Sequence, residues 1–434
     1  MRELSGRIAG RAFRMLMVAA VVATSLTTTG GEAATRTVFV GGPMVGGQTL
    51  DGLLAAVEAF TERHPDVRVE MLQQSADAVK VAVAGGAPPD VAFVDGPLVS
   101  SWALAGIIQP LTPYITQDGV KESDFIPPSW RQNVWNGDVW AMPVIVDPNF
   151  ALTYNVELFA NAGLDPDAPP RTIPELESAI RRLTVRDAQG GLAQIGMVPW
   201  DVFGLTNTMY TWGWNFGGEF FDPQTATVTA HDPRNAEALS WLKRYYDEYQ
   251  PMLGQLNGRV GPGRDRFMSG LEAMVFSHTG RARNIAQVAP DTPFGIAPMP
   301  YDPSAADGPQ AWVGGWTLAI PRGAKNPDLG WEFIRFITAD PVGTERFAVV
   351  SGWFTGYLRS PAYEVFREDP ILAPFMQIVI AARHQRPVIP VQERYWTELE
   401  QAVNRVFVEN ALPREVLQHV SEVVQDELER ALSR

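Results

Sequence analysis

Apolar positions along the first hundred residues alternate between two spacings. Val38 and Val40 lie in a short apolar stretch over residues 37–40 that runs into Gly41-Gly42-Pro43. Leu53, Leu54, Val57 and Phe60 then repeat at helical spacing and predict a helix over residues 50–63, stopped by His64-Pro65-Asp66. Val67, Val69 and Met71 alternate with Arg68 and Glu70, the signature of a half-buried strand. A second helix is predicted over residues 77–84, ended by Gly85-Gly86. The unbroken apolar run of residues 90–94 then reads as a parallel strand covered on both faces. The order β-α-β-α-β predicts an α/β layer with a mostly parallel sheet. Ligands of such sheets bind beyond the carboxyl ends of the strands, where Gly41-Gly42 and Asp95 fall.

Farther along, residues 101–110 predict a helix. Residues 139–146 form an apolar strand interrupted by Asp147-Pro148, and residues 152–155 resume it, so residues 147–151 are expected to cross between two lobes. Thr172, with Glu175 three residues on, predicts an N-cap. Residues 199–221 are unusually aromatic. Residues 233–249 read as a helix, residues 254–263 as a glycine-rich loop, and residues 298–314 as a second crossing. Residues 329–338 read as a helix and residues 349–356 as a third crossing. Leu417, Val420, Val424 and Leu428 close the chain on a helical period.

Composition narrows the class. A chain of 434 residues with 46% hydrophobic content exceeds one ordinary core and suits two domains. The formal net charge of −14 argues against nucleic acid and anionic lipid as partners. Arg2, Arg7, Arg11 and Arg14 precede an apolar run over residues 15–23 and small residues ending in Ala33-Ala34, the pattern of a cleavable secretory signal over residues 1–34. That run is far below the roughly 20 residues a spanning helix needs. The absence of cysteine excludes disulfides, thiolate catalysis, thiolate-bound metals and a lipidated cysteine anchor. Together these predict a soluble periplasmic protein.

An ordered series of segments then carries a resemblance. It comprises Phe60…His64-Pro65-Asp66-Val67, Ala84-Gly85-Gly86-Ala87-Pro88-Pro89-Asp90, Gly106-Ile107-Ile108-Gln109-Pro110-Leu111, Asn136-Gly137-Asp138-Val139-Trp140-Ala141-Met142-Pro143, Tyr154-Asn155…Leu158-Phe159…Ala162-Gly163-Leu164, Gly217-Gly218-Glu219-Phe220-Phe221-Asp222, Phe267-Met268-Ser269-Gly270…Ala273-Met274 and Gly314-Gly315-Trp316…Ile320-Pro321. In this order they resemble the family 1 extracellular solute-binding proteins of ABC importers, the group that includes maltose- and trehalose-binding proteins. The resemblance implies a two-lobed periplasmic-binding-protein fold, each lobe a mostly parallel sheet flanked by helices, joined by three hinge crossings. The expected division is 35–147 plus 312–349 for the N-terminal lobe and 150–300 plus 356–434 for the C-terminal lobe. The implied role is capture of a small polar solute, a mono- to oligosaccharide or polyol, by a monomer that delivers it to the transmembrane subunits of an ABC permease.

A sugar site needs charged or amide groups for hydroxyls and flat rings for C–H faces. Among 13 tryptophans, Trp200, Trp212, Trp214, Trp312, Trp316 and Trp353 fall near expected loops. In Trp312-Val313-Gly314-Gly315-Trp316 the glycines allow close backbone approach, and the resemblance puts this segment beside the cleft. Asp95 and Asp147 end apolar strands at loops that the resemblance also places there, although Asp147 reads equally as the cap of the Pro148 turn. Arg386, with Arg383 as its competitor, matches the family's Arg-Pro near the last crossing. The ligand-binding candidates are therefore Asp95, Asp147, Trp200, Trp214, Trp312, Gly314, Trp316, Trp353 and Arg386. Where the family often carries Gly-x-Trp, this chain has Thr279-Gly280-Arg281 and then Arg283, leaving room for a neutral or an anionic ligand.

Five scattered histidines show no metal-ligand spacing, and neither a Gly-x-Ser-x-Gly elbow nor a phosphate-loop lysine is present. No catalytic residue, metal or cofactor is expected. Two rival roles remain: a periplasmic carbohydrate-active enzyme, which needs a paired set of carboxylates, and a binding module for a chemoreceptor or sensor.

Overall fold

A computed structural model describes residues 35–433; the expected secretory signal lies outside the described residues. In chain order the principal strands are β1 (Arg36–Gly42), β2 (Val67–Gln73), β3 (Val91–Asp95), β4 (Met142–Asn149), β5 (Ala151–Asn155), β6 (Val185–Arg186), β7 (Leu192–Met197), β8 (Glu272–Ser277), β9 (Phe294–Pro298), β10 (Trp312–Ala319) and β11 (His384–Gln385). They form a 6-stranded sheet of order β11-β10-β3-β1-β2, with β4 along the other edge of β10, and a 5-stranded sheet of order β9-β5-β8-β7-β6.

Both sheets are mixed rather than mostly parallel. β1 is parallel to β2 and β3, and β10 is parallel to β11, but β10 is antiparallel to β3 and β4. In the second sheet only β7 and β8 are parallel. The crossings explain the reversals. β1, β2 and β3 end on the side facing the second sheet. A chain returning from that sheet enters at this end and must run the opposite way, as β10 does. β5 enters the second sheet from the same gap and is likewise reversed relative to β7, β8 and β9.

The first lobe follows its sequence pattern closely. The helix Gly47–Arg63 buries Leu53 and Phe60, and all of β3 except Asp95 is buried. Ser75 caps Ala76–Ala84 by accepting from the Ala78 N–H, and Thr172 with Glu175 forms a capping box on Ile173–Leu183. The helix expected over residues 101–110 is shorter, Val99–Leu104, and gives way at Gly106, whose φ is +66°.

Five segments differ from expectation. The crossing expected over residues 147–151 is mostly strand, since residues 147–149 belong to β4 and Ala151 to β5. Residues 199–221 hold a helix, Leu205–Asn215, buried from Thr206 through Asn215. It packs between the helices Pro233–Tyr249 and Gln392–Glu409, so Thr206, Asn207, Thr208, Thr211 and Asn215 are buried along with its rings and no solvent-facing polar stripe marks it. Residues 312–314, expected in a crossing loop, already belong to β10. The third crossing is trimmed by the helix Pro341–Ser351, which ends at left-handed Gly352; the glycine-rich loop over 254–263 likewise begins with the short helix Leu253–Asn257.

Two main cores result. One joins Val38, Phe60, Phe93, Leu318 and Phe333; the other joins Leu152, Trp212, Leu239, Met274, Leu399 and Val424. A third cluster, with Val146, Val313, Phe354 and Phe375, lies where the chain passes between the sheets.

Candidate functional site

The ends of β3 and β4 and the start of β10 converge on one cavity of about 350 Å³. Asp95, the last residue of β3, sits opposite Trp316 in the ladder, and Asp147 of β4 sits opposite Gly314. Gly315 has a φ of +139°, and a Cβ there would collide with the Ile145 carbonyl oxygen. Only glycine lets β4 and β10 close this tightly beside the cavity. The second lobe supplies Asn207, His278 and Trp396, and Phe203 stands at the mouth in an edge-to-face contact with His278, ring centroids 5.4 Å apart. The turn Gly96–Leu98 after β3 touches the helix Gln392–Glu409, so the two lobes meet over the cavity.

Its charged groups are few. The Arg386 guanidinium lies 3.4 Å from Asp95 and is held between the rings of Trp312 and Trp396, at 5.8 and 5.2 Å from their centroids. Burial pushes the Asp95 carboxyl upward, and Arg386 opposes that shift. Asp147 accepts a 3.2 Å hydrogen bond from Thr279 Oγ1, and enclosure raises it from 3.8 to about 7. Its side chain is half-buried and lines the cavity. His278 is held below its ordinary value by burial and then by Arg281, and its Nδ1 has no protein partner. Asn207 Oδ1 is also unpartnered.

Of the residues expected at a site, Asp95, Asp147, Trp316, Trp353 and Arg386 line this cavity. A Cβ at Gly314 would run into the Asn149 side chain and come within 3.6 Å of Arg386, so Gly314 backs the same wall. Trp312 lies one layer deeper, 1% exposed, with Nε1 donating to Thr211 Oγ1 at 3.1 Å. Trp200 and Trp214 are not brought here. Trp200 packs edge-on against Tyr246 at 5.3 Å, and Trp214 stacks on His384 at 5.0 Å. Trp212 is wholly buried and donates to the Pro199 carbonyl. Arg281 turns away to Asp265 at 3.0 Å and to the Phe276 carbonyl, so the expected arginine pair does not form at the cavity. Arg383 pairs with Asp307 instead.

Trp396, His278, Phe150, Phe203 and Asn207 were not foreseen. Trp396 was hidden beside core-facing Tyr395 and Leu399. Phe150 was the most accessible to inference, since it lies inside the expected crossing at 147–151.

Two larger recesses lie elsewhere. One, about 680 Å³, is lined by Phe159, Asp167, Arg171 and Met299; the other, about 700 Å³, by Trp135, Glu219, His384 and Leu432. Neither lies at the strand ends where polar groups converge from both sheets. Among the described residues no three His, Asp or Glu side chains are placed to hold a metal ion, and no helix is long and apolar enough to cross a membrane.

Comparison with known proteins places this architecture. The model of the bacterial extracellular solute-binding protein family matches residues 46–344. The chain is 23% identical over 361 residues to a maltotriose-binding protein of Pyrococcus abyssi, covering 81% of this chain and 73% of that protein. It is 25% identical over 369 residues to the sn-glycerol-3-phosphate-binding periplasmic protein UgpB of Escherichia coli, covering 81% of each. A solved structure of the cyclic α-maltosyl-1,6-maltose binding protein from Arthrobacter globiformis superposes with a TM-score of 0.72 at 21% identity, over 91% of this chain and 99% of that one. The shared fold is the two-lobed one.

Proposed function

We infer what this chain does from what it is: it belongs to the bacterial extracellular solute-binding protein family. The reading we propose is that it captures a small carbohydrate or polyol in the cavity between its lobes and hands it to the transmembrane subunits of an ABC importer. Relatives named for maltotriose and for a cyclic maltose derivative support the carbohydrate class. The observation that carries the reading is the cavity wall itself. Trp316, Trp353 and Trp396 offer ring faces, and Asp95, Asp147, Arg386 and Asn149 offer hydrogen-bonding groups for hydroxyls. A volume of about 350 Å³ is at the small end for ligand pockets and suits a sugar of one or two rings.

The mechanism is closure. We assign 35–147 plus 312–349 and 150–300 plus 356–434 as the two bodies, moving about the strands and loops that pass between them. The ligand touches both bodies only when they meet, so it selects the closed form. Shifting that form from 1% to 99% takes about 5.5 kcal/mol of differential binding. A micromolar site supplies about 8 kcal/mol in all, so closure is within reach. We further propose that the protein is exported by cleavage within residues 1–34, works unlipidated and monomeric, and catalyses no reaction. The Asp95 carboxylate is committed to Arg386, which does not suit a free acid–base pair.

Calorimetric titration with a panel of mono- and disaccharides and polyols, with scattering recorded alongside, tests this reading. Micromolar binding with a smaller radius of gyration is expected. A saturated protein of unchanged radius overturns the closure mechanism, and a ligand recovered chemically altered overturns the non-catalytic assignment.

A further inference from the structure

We propose that the sugar held in this cavity carries a basic nitrogen, as an amino sugar or aminocyclitol does, and that Asp147 receives its ammonium group. The inference rests on the carbohydrate reading above and narrows it to one class.

The argument is a charge balance over the groups that face the cavity. Asp95 and Arg386 satisfy one another across 3.4 Å, and the guanidinium is fixed between two indole faces. His278 is kept uncharged, by burial and then by Arg281 beyond it, and Arg281 is itself taken by Asp265. That leaves Asp147. Among the described residues its carboxyl has no Lys or Arg partner, and its one side-chain hydrogen bond comes from a neutral hydroxyl, Thr279. An enclosed carboxylate without a cation is costly and either takes a proton or finds a positive charge. Desolvation pushes the Asp147 carboxyl up to about 7.

A bound ammonium group changes that outcome. It supplies the positive charge that the two neutral Thr279 donors, hydroxyl and backbone N–H, do not. The surrounding rings favour the same choice, because Trp316, Trp353 and Phe150 line the same cavity and indole and phenyl faces attract cations. An anionic ligand meets the reverse situation. The guanidinium it needs is already paired with Asp95, and no other Lys or Arg among the described residues lines the cavity. A neutral sugar fits the rings and can donate a hydroxyl to Asp147, but it brings no counter-charge.

The test uses the full-length mature protein and matched ligand pairs. Glucosamine, galactosamine, mannosamine and the glucosamine disaccharide are titrated at pH 7 against their parent sugars, their N-acetyl forms and choline. At least one amine is expected to bind tenfold or more tightly than its parent, and Asp147→Asn is expected to erase that preference, bringing the amine and its parent within about threefold of one another. The variant's unfolding temperature in the absence of ligand, expected to be no lower than that of the wild type, shows that it is folded. A parent or N-acetyl sugar binding as well as every amine overturns the inference and leaves the carbohydrate reading standing. An amine preference that survives Asp147→Asn overturns the assignment to that residue. Binding of choline alone, or of no member of the panel, overturns the carbohydrate reading as well.

Discussion

Arg386 reaches across the mouth of the second lobe to Asp95, at 3.4 Å, with its guanidinium gripped between Trp312 and Trp396. The pair ties the end of β3 to the segment after β11, and planar stacking on two rings is a role lysine cannot fill. Removing one partner leaves the other charge enclosed and alone, which costs more than removing both. Asp95 keeps 31% side-chain exposure, so the cost is discounted from the fully buried case. Arg386→Met is expected to lower unfolding free energy by about 1–3 kcal/mol, and adding Asp95→Asn is expected to recover part of it. Denaturant unfolding of the two single variants and the double variant measures the coupling; strictly additive effects would show that the pair contributes nothing.

Two tryptophans separate binding from packing. Trp316 lines the cavity, so Trp316→Ala is expected to weaken sugar affinity at least tenfold, about 1.4 kcal/mol. Trp200 is 7% exposed and packs on Tyr246, so Trp200→Ala is expected to cost about 3–5 kcal/mol of stability with little change in affinity. Calorimetry and thermal unfolding on both variants check the contrast. Unchanged affinity in Trp316→Ala would assign that ring to packing.

Asp147 makes stability depend on pH in an unusual direction. Enclosure raises its carboxyl from 3.8 to about 7 in the folded protein. Between those values the folded state holds a proton that the unfolded chain has released, so this group's contribution is full below 3.8 and is lost as pH rises through about 7. Asp147→Asn is therefore expected to raise the ligand-free unfolding temperature more at pH 8 than at pH 4.5. A gain of equal size at both pH values would contradict the assignment.

His384 acts in the opposite sense. Burial first, then Arg131 and Arg383, lowers it from 6.5 to about 4. Its contribution is present above 6.5 and is lost as pH falls through about 4, because the unfolded chain binds the proton first. His384→Phe keeps the stack on Trp214 but removes the titration and the Gln310 contact. The variant is expected to be about 1 kcal/mol less stable at pH 7, with a flatter decline between pH 6.5 and 4. Denaturant midpoints at several pH values follow the slope.

Gly315 is the tightest backbone constraint at the site. At φ +139°, with the Ile145 carbonyl where a Cβ would lie, Gly315→Ala is expected to separate β4 from β10. Loss of several kcal/mol of stability, or failure to accumulate as folded protein, is the expected outcome. An alanine variant as stable as the parent would show that the strands have room to part.

Much of this was written in local pattern. The alternating strand Val67–Gln73, the helix Gly47–Arg63, the buried run of β3 and the Thr172 cap each depend on neighbours a few residues away, so composition and spacing determined them. Asp95 and Asp147 were legible for the same reason: each is a polar residue that follows an apolar run, although β4 continues past Asp147 to Asn149. The helix Leu205–Asn215 was not, because a segment buried on every side carries no solvent-facing polar stripe to reveal its period. Nor could sequence distinguish Trp316 from Trp312. They lie on one strand, four residues apart, and only the packing of the second lobe puts one ring in the cavity and the other in the core. Charge was decided last. Sequence offered Arg281, Arg283 and Arg386 as partners for an anion, but tertiary structure commits Arg281 to Asp265 and Arg386 to Asp95 and packs Arg283 against Gly352 outside the cavity lining, leaving Asp147 without a cationic partner there. Residue type determines which charges are present; only the fold, by setting distances between residues far apart in the chain, decides which of them remain for a ligand.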